Sequence, residues 1–143
     1  MEQKTNWTTI IVTSLIGYAL GFVWYGMLFN TMWAADNNYE IEGDKMFKNG
    51  VEVPMSLTPM IFNLVSMIIY ALLIDWLLKK TGAASWQDGA KIGAIIGVIM
   101  LLGVFTGNMF AGNPMRLSVI DGSYSFIMFV IFGAMIGGWK RNN

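Results

Sequence analysis

Arg116 and Asp121 are the only charges in the stretch Asn113–Phe126, which lies between two long apolar runs. An arginine and an aspartate five residues apart can form an ion pair, or they can border a membrane segment. In the second case Asp121 caps the first turn of the apolar run that follows it. Arg116 then snorkels to headgroups or pairs with Asp121. Tyr124 and Asp88 complete the polar side chains near apolar borders that could take part in chemistry, and no nucleophile–base pair stands out among the three. The 143 residues include no histidine and no cysteine. That removes the usual general base, the usual pH switch, thiol nucleophiles, and histidine- or thiolate-ligated metals. The reading is therefore non-enzymatic, with no catalytic residue and no cofactor. Asp36, Glu40, Glu42 and Asp44 cluster in one hydrophilic loop. The glycine and closing glutamate of a calcium loop are not at the required offsets, so no metal is expected there.

The elements that must position these residues are membrane helices. Hydrophobic residues make up 55% of the chain, charged residues 13%, and the mean hydropathy is +0.54. A soluble domain of this size needs more polar surface to cover its core. Nine basic and nine acidic residues cancel, so no global field recruits nucleic acid. Thr5–Ala35, Val53–Ile74, Ile92–Met115 and Gly122–Trp139 carry no charge. Each is long enough for the roughly 20 apolar residues that a transmembrane helix needs. The expectation is one all-α integral membrane domain over 1–143. Its four helices, at 7–33, 55–78, 90–112 and 121–139, pack as a small bundle, with an outer loop at 36–52. The apolar run after Lys4 is too long for the core of a cleaved leader, which predicts a retained helix. Pro54 and Pro59 suit the turn and first helical turn that open span two.

Lysine and arginine counts give an orientation. Lys4, Lys79, Lys80, Lys91, Lys140 and Arg141 share one side, while Lys45, Lys48 and Arg116 share the other with six of the acids. The positive-inside rule places both ends in the cytoplasm, and a multi-pass protein of the inner membrane is expected. Trp7, Trp76, Trp86 and Trp139 mark the inner border by the same logic, and Trp24 and Trp33 the outer one.

Helices in lipid associate through small residues and hydrogen bonds. Gly17 and Gly21 in span one, Gly93, Gly97, Gly103 and Gly107 in span three, and Gly133 and Gly137 in span four stand at small-xxx-small spacing. Spans one, three and four should pack closely, within a protomer or between copies. Polar side chains form two stripes at helical spacing, Ser14, Tyr18 and Tyr25 on span one and Asn63, Ser66 and Tyr70 on span two. They either bond across a dry interface or line a wet path. No acid or base is expected deep within a span, which argues against a proton-coupled pump. The aromatic run Tyr18, Phe22, Tyr25, Phe29 and Trp33 suits packing and an interfacial belt. The twelve methionines suit adaptable filling.

Trp24-Tyr25, Phe29 and Trp33, then Asp88-Gly89, Gly93, Gly97, Pro114, Arg116-Leu117, Ile120-Asp121-Gly122, Tyr124 and Trp139, resemble a bacterial membrane family catalogued as domain of unknown function 1761. The resemblance covers nearly the whole chain. It implies four membrane helices, no established activity, and importance for Trp24, Tyr25, Arg116, Asp121 and Tyr124. The chain departs from the family pattern at Gly26-Met27-Leu28, where a proline is expected, and at Ser125, where a histidine is expected. Small multidrug transporters share the four-span size, but the glutamate they carry in the first helix is missing between Glu2 and Asp36. The leading expectation is a homo-oligomer in the lipid bilayer that binds or passes a small solute or ion. The alternative is a structural scaffold that binds another membrane protein.

Overall fold

The computed structural model describes residues 4–139; Glu2, Lys140 and Arg141, used in the sequence reading, lie outside them. Asn6 caps the first helix, its side chain accepting from the Thr9 amide, and α1 runs Trp7–Val23. The helix then loosens into a π-helical turn, Trp24–Leu28, and breaks at Phe29, where φ is −121°. A short α2, Asn30–Asp36, follows. The single span expected at 7–33 is thus two helices joined by a π turn, of which Trp7–Leu28 is apolar and long enough to cross a membrane.

The loop expected at 36–52 is a three-stranded antiparallel sheet, so the chain is mostly helical and not all-α. Its strands are β1 (Tyr39–Glu42), β2 (Lys45–Lys48) and β3 (Val51–Val53), in the order β1-β2-β3. Glu42 pairs with Lys45, and Lys48 with Val51. Asn49 and Gly50 both take positive φ, 51° and 78°, as the tight turn of a twisted hairpin requires. Asn-Gly between apolar-alternating runs is a strong hairpin signal that the hydropathy reading passed over.

Three long helices complete the chain. Helix α3, Thr58–Thr81, begins with a proline in its first turn and ends at Gly82, whose φ of 69° favours glycine. Helix α4, Trp86–Phe110, is capped by Ser85, whose hydroxyl accepts from the Asp88 amide and donates to the Asp88 carboxylate. Helix α5, Met115–Trp139, follows Pro114. At 24 or 25 residues each is about 36 Å long, enough for the roughly 30 Å bilayer core. Two boundaries differ from expectation. Helix α4 starts at Trp86 rather than 90, and the turn between α4 and α5 lies at 111–114 rather than 113–120. Asp121 consequently stands about 9 Å inside α5 and caps nothing, since six residues at 1.5 Å precede it.

The buried apolar residues Ile10, Met67, Ala71, Ile74, Leu78, Phe129, Phe132 and Ile136 form one cluster where α1, α3 and α5 meet. Helix α4 joins through glycine. A Cβ on Gly89 would overlap the Gly133 carbonyl oxygen, one on Gly93 the Phe129 carbonyl, and one on Gly133 the Gly89 carbonyl. Gly97 approaches the Phe126 backbone, and Gly137 the Ser85 carbonyl. On α1, Gly17 seats the Phe132 ring and Gly21 the Tyr124 hydroxyl. Among the described residues a Cβ on Gly103 or Gly107 would meet nothing within 4 Å, so their expected packing role has no counterpart there.

The start of α1 lies beside the end of α3. The Thr5 hydroxyl donates to Asp75 at 3.2 Å, and Lys79 reaches both Asp75 at 2.6 Å and Thr5 at 2.8 Å. Asp75 is a buried helical residue of this cluster. With Gly137 against Ser85, the start of α1, the end of α3, the start of α4 and the end of α5 share one end of the molecule. Trp7, Trp76, Trp86 and Trp139 all fall at that end.

Candidate functional site

The opposite end gathers most of the polar and aromatic residues named above. The π turn changes the helical phase of α1, and the Trp24 indole donates to the Ile120 carbonyl of α5 at 3.0 Å. Tyr25 then meets Tyr124 edge-on, with ring centres 5.0 Å apart. On its other side Tyr25 meets Trp33 of α2 at 5.7 Å, and Trp33 stacks on Tyr39 of β1 at 5.7 Å. A row of four rings therefore runs from α5 through α1 and α2 to the sheet. Lys48 caps its outer end, 4.8 Å above the Tyr39 ring.

Asp121 lies behind this row. Its carboxylate lies beside the Tyr25 hydroxyl and the Trp33 indole. One of its oxygens, Oδ1, is buried without a hydrogen-bond partner. The expected pairing with Arg116 does not occur. Arg116 instead grips Asp36, the last residue of α2, through Nε at 2.8 Å and a terminal nitrogen at 2.6 Å. Asp36 is buried, and this two-pronged bond holds its carboxyl below the usual carboxylate range, against the upward push of burial. The expectation that no acid lies inside a span gives way here, because Asp121 sits within α5.

Two connected grooves open beside the row, sharing Pro59, Asn63 and Tyr124. The larger, about 550 Å³, lies between α1 and α3, where Tyr18, Gly21, Phe22, Tyr25, Trp33 and Met60 complete its wall. The smaller, about 340 Å³, is walled by Ser66, Tyr70, Met100, Ser125 and Phe129 among others. Of the two polar stripes, Tyr18, Tyr25, Asn63, Ser66 and Tyr70 line this space. Ser14 does not: it is buried, and its hydroxyl donates back to the Ile10 carbonyl at 2.7 Å. Ser66 likewise donates to the Phe62 carbonyl of its own helix. Among the described residues no hydrogen bond joins the two stripes, and no lysine or arginine lines either groove.

The sequence similarity covers all of these elements. A family model for proteins of unknown function, DUF1761, matches residues 8–137. The chain belongs to the DUF1761 family. No curated protein and no solved structure matches it. In this DUF1761 protein, Trp24, Tyr25, Asp121 and Tyr124 come together in the aromatic row, and Arg116 stands apart from Asp121 on the Asp36 clamp. Asp36 and Trp33 were missing from the residues singled out as a site. Arg116 and Asp36 are 80 positions apart, so no local spacing connects them. Trp33 was visible as part of the aromatic run on span one, but only the break at Phe29 turns it toward Asp121.

Proposed function

We propose that this protein is a multi-pass protein of the inner membrane, non-enzymatic, whose paired grooves bind or pass a small solute from the outer side. Both ends are cytoplasmic in this reading. Lys4, Lys79, Lys80 and Lys91 cluster at the end shared by the α1 start and the α3–α4 turn, in keeping with the positive-inside rule. The observation that carries the solute reading is Asn63, a half-buried amide on α3 that borders both grooves, shares their walls with Tyr18, Tyr70 and Tyr124, and bonds to none of these three. An amide left unbonded in lipid is costly, whereas water or a ligand satisfies it.

The helices pack as a small bundle in this proposal, and copies associate. Helix α4 supports association, since most of its surface beyond the α5 contact is exposed and Gly103 and Gly107 lie open on it. Four helices of one short chain rarely enclose a pore, so passage through the membrane calls for closed symmetry among copies.

Cysteine labelling tests the wet groove directly, because the native chain has no cysteine. In intact cells, Asn63→Cys should react with a membrane-impermeant maleimide about tenfold faster than Ser14→Cys, whose position is sealed in the protein. Equal, slow labelling at both positions means a dry groove and contradicts the solute reading. The scaffold alternative would then take its place.

A further inference from the structure

Aromatic rings wall the larger groove, and Asp121 stands behind them, outside its wall, as a carboxylate with no ion-pair partner among the described residues. Arg116, the nearest basic residue in sequence to Asp121, is committed to Asp36 by two short bonds, and among the described residues no cation forms an ion pair with Asp121. A carboxylate in a low-dielectric setting is costly to leave uncompensated. The Tyr25 hydroxyl and the Trp33 indole beside Asp121 belong to rings that wall the larger groove. Negative charge on the N–H or O–H side of a ring makes the ring a better seat for a cation. The same row already holds one cation at its far end, where Lys48 lies over Tyr39.

Resting on the solute reading above, we propose that the larger groove binds an organic monocation, a quaternary ammonium with an apolar body. Its charge sits on the faces of Tyr25, Trp33 and Tyr124, and Asp121 balances it from behind the rings. Phe22, Met60 and Pro59 hold the apolar body, and the roughly 550 Å³ groove accommodates a ring with a trimethylammonium group. The same chemistry is offered by a free ammonium compound and by the choline headgroup of a lipid.

The test uses the full chain in uncharged maltoside micelles, with protein-free micelles as the blank. Benzyltrimethylammonium is titrated by equilibrium dialysis beside neopentylbenzene, its uncharged carbon isostere. The cation should bind at least about tenfold more tightly than the isostere, a gap within the range of one good cation–π site. Asp121→Asn keeps the size and polarity of the side chain while removing its charge, and should bring the cation down to the level of the isostere without changing the latter. Trp33→Leu, farther from the helix interior, should weaken the cation similarly and serves if Asp121→Asn does not fold. Displacement by added phosphatidylcholine, but not phosphatidylglycerol, identifies a lipid headgroup as the occupant; no displacement by either identifies a free cation. Equal affinity for cation and isostere, insensitive to Asp121→Asn, overturns the cation assignment while leaving the groove a binding site. Failure of both probes to bind overturns the groove reading itself.

Discussion

Gly133→Val is expected to separate α4 from α5 and to destabilise the protein by about 3 kcal/mol or more, read as loss of the folded species on heating in detergent. The magnitude follows from what the new side chain meets. Its Cβ would overlap the Gly89 carbonyl, with the Gly93 amide nitrogen close behind, and backbone cannot rotate away as a side chain can. Apolar burial gives little driving force among helices already in lipid, so close backbone contact is the attraction that is lost. Gly103→Ile provides the contrast. Nothing lies within 4 Å of that position, and the melting of the single chain should shift by no more than about 0.5 kcal/mol. If copies associate through the open face of α4, the same variant loses native mass while keeping its fold. A Gly133→Val protein that melts like the wild type would contradict the α4–α5 contact described above.

Arg116→Ala should release the outer sheet from the helices, raising amide exchange over Tyr39–Val53 on the order of tenfold or more. The sheet follows directly on α2, and Asp36 at the end of that helix is anchored to α5 by the Arg116 bond. The pH dependence has a definite sign. The Asp36 carboxyl is held below its unfolded value, so the clamp is complete above the ordinary aspartate range near about pH 4. Protection is lost as pH falls further, through the lowered folded value. Arg116→Ala abolishes this acid-dependent step as well as the protection. Arg116→Lys should restore little, since an ammonium cannot make the two-pronged bond. Exchange that is unchanged in Arg116→Ala would show that the sheet holds without the clamp.

Much of the architecture was legible because hydropathy and charge report directly on lipid. The four apolar runs became four long helices, and the glycines at 93, 97, 133 and 137 became close contacts. The same spacing at Gly103 and Gly107 did not. At about 100° per residue Gly107 returns to the face of Gly89. Farther along the helices, however, Leu101 and Phe105 meet Gly122 and fill the space between α4 and α5. Glycine spacing alone does not reveal such bulky neighbours on the same helix.

The error at Asp121 has a related cause. Charge often marks a membrane border, but a carboxylate enters a span where donor groups from other helices stand beside it, here those of Tyr25 and Trp33. Those donors converge only because α1 loosens into a π turn and breaks at Phe29. No hydrophobic periodicity announces that break. The Asp36–Arg116 and Thr5–Asp75–Lys79 clusters are likewise products of folding, joining residues 70 or more positions apart. The Asn49-Gly50 turn, in contrast, was readable from the sequence.

The central claim is that the space around Asn63 and Tyr124 is a binding site rather than a gap between helices. A high-resolution map of the protein in lipid nanodiscs tests it most directly. The account predicts non-protein density, water or ligand, in contact with the Asn63 amide and the faces of Tyr25 and Trp33. Grooves closed by repacked side chains, or filled by a helix of a second copy, would contradict it.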